Sequence, residues 1–340
     1  MDWNPPLDWL KITVFDLHTA GEPLRVVCEG FPEVHGSSIL FKRRDLEKNH
    51  DHLRRALLWE PRGHADMYGC LLTEPERPDG DLGVVFMHTG GYGTMCGHGI
   101  IGVATLVFET GIVRASGDMP VLKIDTAAGR VTARADFRNG RVHEVSFRNV
   151  PSFVFALDRD VDVPGIGRLS VDIAFGGAFY AFCRAEDLGV DLRPENSRLL
   201  AELGMRIKSA VGKAVPIRHP YEQDLSFLFG TILVGPPLER GHHSRNVCVF
   251  ADGEVDRSPT GTGVSARAAL LHARGEIKPG EIFIVESILG TCFKGKFEET
   301  TTFGPFAAVI PEVAGSAHII GRSELFISPE DPLKNGFLLR

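Results

Sequence analysis

Two faint copies of one pattern run through the chain in the same order, and this duplication restricts the fold more than any other feature of the sequence. The stretch FDLHTAGEPLRVV, Phe15 to Val27, corresponds to IAFGGAFYAF, Ile173 to Phe182; each is a strand-like segment broken by small residues. MYGCLL, Met67 to Leu72, then matches LFGTIL, Leu228 to Leu233. MCGHGIIGVATLVFETGIV, from Met95, aligns with PTGTGVSARAALLHARGEI, from Pro259, and sets Cys96 against Thr260. Finally IDTAAG, Ile124 to Gly129, matches VESILG, Val285 to Gly290. The spacings agree: 27 residues lead from Gly69 to Cys96 and 30 from Gly230 to Thr260, and Gly111 and Gly275 lie equally far beyond Cys96 and Thr260. Shared order and spacing point to a duplicated α/β unit.

Within each copy a short apolar run suited to a buried strand, LGVVFMH or NVCVFAD, precedes a glycine-rich turn. After the first turn, Ile100, Ile101, Val103, Ala104, Leu106, Val107 and Phe108 are apolar nearly all round, as in a helix enclosed by protein. Its counterpart, Val264 to His272, is rich in Ala and Leu but carries Arg267. Further β-like segments (RVTARADF, RVHEVSF, EIFIVES, FAAVIPEV) surround both helices. At 340 residues the chain exceeds what one core usually serves. The expected α/β architecture is therefore two pseudo-symmetric lobes, each a β-sheet wrapped around a central apolar helix, with the active site between them. The expected boundaries are residues 1–150 plus about 318–340 for the N-terminal lobe and 151–317 for the C-terminal lobe. IPEVAGSAHI is read as a loop crossing back to the first lobe.

The formal charge of −7, without an extended Lys/Arg cluster, argues against a nucleic-acid partner and favours a small molecule. No apolar run reaches the roughly 20 residues of a membrane helix. The start MDWNPPLDWL lacks the basic and apolar regions of a signal peptide, so a cytoplasmic protein is expected. Cys28, Cys70, Cys96, Cys183, Cys248 and Cys292 form no CxxC pair and no metal-ligand spacing; most are expected to be reduced, buried and inert, with no bound metal.

A helix that begins at a glycine-rich turn exposes unpaired N–H groups and about half a positive charge, which makes an anion site. In CGHG and TGTG, Gly97, Gly99, Gly261 and Gly263 would let a carboxylate approach the backbone closely. If the two lobes face each other, both turns converge on one ligand. The field at Cys96 is expected to lower its thiol from about 8.5 toward or below 7 and make a thiolate available. His98 lies two residues on, where side chains at a helix start are expected to diverge, so His98 is assigned to the ligand and Cys96 is read as a general base. Asp256, four residues before Thr260, is suited to a cationic amine, which makes the ligand amino-acid-like. Plainer readings stand beside these: Cys96 as a small buried hydrophobe, and Asp256 as a turn residue or an ion pair with Arg257. GGYGTM lacks the P-loop pattern, Arg62, His64 and Asp66 cluster in a segment suited equally to a solvated loop, GHHSR suggests a metal only weakly, and His18 beside its glycine turn is a weaker ligand contact.

At MCGHG and DRSPTGTG, supported by HTAGEP, the chain resembles the proline racemase family over essentially its whole length. The resemblance implies the diaminopimelate-epimerase-like fold, no cofactor and a homodimer. It also implies substrate binding through Gly97, His98, Gly261 and Thr262, with Asp256 on the ring nitrogen. In the racemases and epimerases of the family both turns carry a thiol, one for each face of the substrate. Here Thr260 stands at the second position, and a threonine hydroxyl is far too weak an acid to replace a thiol near neutral pH. The Cys96/Thr260 pair is similar to that of the trans-3-hydroxy-L-proline dehydratases of the family. In that substrate the α-hydrogen and the 3-hydroxyl share a ring face, so one thiolate could remove the proton and assist the departing hydroxide, giving pyrroline-2-carboxylate. The competing expectations are a proline racemase or 4-hydroxyproline 2-epimerase in which water or His98 stands in for the missing thiol, a non-catalytic amino-acid binding protein, and, more remotely, a thiol hydrolase.

Overall fold

The computed structural model describes residues 3–339; residues 1–2 and 340 of the expected lobe boundaries lie outside them. In the first half, the hairpin Leu10–Thr19/Glu22–Glu29 pairs in parallel, through its second strand, with Tyr68–Thr73. That strand pairs antiparallel with Leu82–His88, which runs parallel to Val121–Thr126. The second half repeats this sequence of pairings with the hairpin Gly167–Phe175/Phe179–Arg184, then Leu228–Gly235, Ser244–Phe250 and Phe283–Glu286. The repeat read from the sequence is thus a repeat of strand pairing.

Five α-helices accompany the described strands: α1 (Ile39–Asp45), α2 (Asp51–Leu58), α3 (Gly97–Glu109), α4 (Ser197–Ala214) and α5 (Gly261–Ala273). Helix α3 is buried from Gly97 to Phe108 because it has no polar stripe to offer water. In α5 every residue from Gly261 to Leu271 is buried except Arg267, which is partly exposed. Each central helix is therefore enclosed by its own half of the sheet, and the two lobes meet at the helix N-termini.

The segment IPEVAGSAHI is not a loop. It belongs to two strands, Phe306–Gly315 and Ala317–Ile327. The first pairs with Cys292–Phe303, Ser152–Val163 and Arg141–Arg148, and the second with Leu10–Thr19. A chain that crosses from one lobe to the other must still pair its backbone donors and acceptors, and it does so by staying in the sheet.

Candidate active site

The helix starts approach more closely than any residue with a side chain allows. A Cβ on Gly97 would lie 2.5 Å from the Gly261 Cα, and one on Gly261 would lie 2.7 Å from the Gly97 Cα. Two positive helix ends are thus set against one space. All seven residues expected at the site line it: Cys96, Gly97 and His98 from the first lobe, and Asp256, Thr260, Gly261 and Thr262 from the second. Tyr68, Met95, Tyr180, Phe229, Cys248 and Phe250 complete the wall. The free volume at the centre is about 20 Å³, room for about one water molecule.

Cys96 is the N-cap of α3 in an extended conformation, and its Sγ accepts the Gly99 N–H at 3.3 Å. The expected divergence of His98 does not occur: its Nδ1 lies 3.2 Å from Sγ. The reason is that Cys96 is extended (φ −141°, ψ 116°) while His98 is already helical, so spacing rules for two residues within one helix do not apply. The His98 ring is further held by the Pro23 carbonyl, and its own carbonyl accepts from Thr19 Oγ1 at 2.9 Å.

The expected lowering of the thiol is also not found. Burial pushes Cys96 up, against the Gly99 N–H and Tyr68, which favour the thiolate; Asp256 and Glu22 add to the rise. Burial likewise pulls His98 down to about 4, with the Asp256 carboxylate opposing. Burial thus favours the neutral form of both groups. The helix field is present but is outweighed by desolvation.

Thr260 occupies the equivalent start of α5, yet its side chain makes no cap. Its φ of +67° is unusual for a β-branched residue and turns the hydroxyl away from the helix. Thr260 Oγ1 donates to Asp256 Oδ2 at 2.8 Å, while the Ser258 N–H donates to Asp256 Oδ1 at 2.7 Å. Asp256 is buried, and neither plainer alternative holds, a surface turn residue or an ion pair with Arg257: the Arg257 guanidinium reaches Asp66 Oδ2 at 2.9 Å. Thr262 Oγ1 and Tyr180 OH lie 2.6 Å apart.

The weaker motifs have other roles. His18 packs on His318 and accepts the Gly21 N–H, and Arg62 bonds the Phe326 carbonyl. In GHHSR, His242 meets Glu286, a buried carboxylate that also accepts the Leu238 and Glu239 N–H groups and Arg245. Among the described residues no group of three His, Cys, Asp or Glu is arranged for a metal ion. Tyr68, Tyr180 and the buried Glu22 are site features that the sequence reading missed. Glu22 stands inside HTAGEP, where its short distance from the Gly21 turn was the available signal.

The profile of the proline racemase family matches residues 14–338. The chain belongs to the proline racemase family. It is 48% identical to a trans-3-hydroxy-L-proline dehydratase of Colwellia psychrerythraea, covering 99% of this chain and 96% of that protein. It is 43% identical to a proline racemase of Clostridioides difficile, covering 97% of this chain and 98% of the relative. Among solved structures it is similar to a hydroxyproline epimerase from Agrobacterium vitis with bound trans-4-hydroxy-L-proline, at a TM-score of 0.93 and 31% identity over 98% of this chain and 96% of that one. As a member of the proline racemase family the chain has the expected two-lobed fold. Among the described residues no helix is long and apolar enough to cross a membrane.

Proposed function

We propose that this enzyme removes water from trans-3-hydroxy-L-proline to give pyrroline-2-carboxylate, with Cys96 as the only thiol base. One observation carries the reading: at the helix start that faces Cys96, the side chain is a threonine whose hydroxyl is committed to Asp256. His98 does not supply the missing acid, because it stands on the Cys96 side, 3.2 Å from Sγ. The relatives named as dehydratases support the same substrate.

The substrate carboxylate binds the N–H groups of the paired turns through Gly97, His98, Gly261 and Thr262, and its ring ammonium faces Asp256. The Cys96 and His98 shifts both have burial as their largest cause. Parting of the lobes lifts that penalty, so the S–H proton can pass to His98 Nδ1 before the pocket closes on substrate. The thiolate takes the α-proton, the C2–H electron pair forms the C2=C3 bond, and the C3–O bond breaks. The hydroxide leaves on the same ring face and takes up a proton from that thiol, regenerating the thiolate and releasing water. The enamine then tautomerises to the cyclic imine. As the α-proton leaves, charge grows on the carboxylate between two positive helix ends, where the field lowers the barrier.

No cofactor takes part in this scheme. Residues 1–150 with about 318–340 form one working lobe and 151–317 the other, a division supported by the pairing of Ala317–Ile327 with Leu10–Thr19. A homodimer and a cytoplasmic location belong to the same reading. The test is incubation with trans-3-hydroxy-L-proline, its cis isomer and 4-hydroxyproline, with the imine detected by an aldehyde reagent and epimers by chiral chromatography. Imine from the trans-3 isomer is expected; epimerisation of proline or 4-hydroxyproline without imine would assign the racemase chemistry instead.

A further inference from the structure

The hairpin tip Thr19–Glu22 touches the Cys96–His98 turn and the Asp256 loop at once. From one side of the tip, Thr19 Oγ1 donates to the His98 carbonyl at 2.9 Å. From the other, Glu22 Oε2 accepts the Arg257 N–H at 2.6 Å, on the residue next to Asp256. The tip between them is seated in the second lobe. The Ala20 carbonyl accepts from Thr291 Oγ1 at 2.8 Å, and a Cβ on Gly21 would lie 2.7 Å from Leu289 Cδ1. Ala20 and Gly21 both have positive φ, 53° and 97°, the backbone of a tight two-residue hairpin turn, and for Ala20 this is a strained conformation held by its surroundings.

Glu22 is fully buried, and its Oε1 has no hydrogen-bond partner. Burial, and then the nearby Asp256 carboxylate, push its carboxyl well above the usual range, with Arg257 opposing. That direction favours the neutral form, which would leave no second bare anion behind Asp256. An ordinary surface glutamate would serve no purpose here; a buried acceptor aimed at one backbone N–H fixes a loop.

We propose that Thr19 and Glu22 are positioning residues that set the Cys96–His98 turn and the Asp256 loop in register from a single hairpin tip. Neither lines the pocket, so both act through the groups they hold. Thr19 acts on the reacting side and Glu22 on the side that receives the ring nitrogen. The inference rests on the dehydratase reading for its assay but not for its geometry.

The test compares Glu22→Ala, Glu22→Gln and Thr19→Val with the wild-type enzyme, reading kcat, KM and the isotope effect on kcat/KM with substrate deuterated at the α-carbon. Displacements of about 1 Å cost on the order of 100-fold. Glu22→Ala is thus expected to lower kcat/KM about 100-fold, mainly through KM, and Glu22→Gln, which keeps a neutral acceptor, to recover it to within about 3-fold. Thr19→Val is expected to lower kcat about 10-fold and raise the isotope effect, as proton removal becomes slower than other steps. Loss of folded protein alone would reduce kcat without moving KM or the isotope effect, and that pattern would overturn the proposal. So would Glu22→Gln as impaired as Glu22→Ala, or kcat/KM within twofold of wild type in both Glu22→Ala and Thr19→Val. If Glu22→Ala does not fold, the Glu22→Gln and Thr19→Val arms decide. If wild-type enzyme yields no imine, the dehydratase reading fails by itself. The clamp is then read from the rate of Cys96 alkylation by iodoacetamide, expected to change at least about 3-fold in Thr19→Val; an unchanged rate would overturn it.

Discussion

Thr260 Oγ1 donates to Asp256 Oδ2, whereas Cys96 Sγ, at the corresponding helix start, accepts the Gly99 N–H. The two poles of the pocket are therefore unlike in direction as well as in element. The sulfur faces into the positive end of its own helix, where an anion is stabilised. The hydroxyl instead spends its proton on the carboxylate proposed to receive the ring nitrogen. Thr260 in this arrangement orients Asp256 and, in the proposed mechanism, puts no thiol at the helix start opposite Cys96.

Replacing that hydroxyl with a thiol should change the outcome of the reaction. Thr260→Cys is expected to give measurable C2 epimerisation of proline or hydroxyproline, detected by chiral chromatography, together with weaker binding of the ring nitrogen as Asp256 loses its donor. If no epimer forms from any of these substrates, position 260 does not decide between one-base and two-base chemistry.

Cys96→Ser is expected to lower the dehydration rate by at least about 1,000-fold, since a serine hydroxyl is too weak an acid to supply the base. The side chain is close in size, so circular dichroism and the unfolding midpoint should stay near those of the parent. Imine production at the parental rate would remove Cys96 from the mechanism.

The charge state of the thiol can be read directly. Burial pushes the Cys96 thiol up, and a thiol reacts only as its thiolate. Alkylation by iodoacetamide should accordingly be slow at pH 7 and accelerate with rising pH, with its midpoint above the ordinary value of about 8.5. The substrate should protect. A midpoint below pH 7 would show that the helix field outweighs desolvation in the free enzyme.

Gly97→Ala tests the contact between the helix ends. Its methyl would lie 2.5 Å from the Gly261 backbone, which has no flexible atom to yield. The lobes would have to separate, at a cost of about 1–3 kcal/mol, and activity should fall by at least about 100-fold as the two turns lose register. Normal activity in this variant would mean that the closed arrangement is not the working one.

Much of the site was legible because it depends on order and spacing along the chain. The duplicated strands, the enclosed helix from Ile100 to Phe108, and the pairing of Cys96 with Thr260 all follow from local pattern. Glycine at positions 97 and 261 suggests by itself room for a carboxylate at the backbone; that each makes room for the other helix start is visible only in the structure. The crossing strands were not legible, since IPEVAGSAHI pairs with partners more than 150 residues away in sequence for part of its length.

The sequence by itself determined that one helix start would carry a thiol and the other an alcohol, since side-chain chemistry is written residue by residue. Only the tertiary structure decided that His98 turns toward that thiol, that Thr260 turns toward Asp256, and that Glu22 is buried behind the Arg257 amide. These depend on backbone angles at the helix starts and on water being excluded where two lobes meet. Desolvation between distant segments pushes the Cys96 thiol up, against the direction that the helix end alone would favour, and no local spacing encodes it.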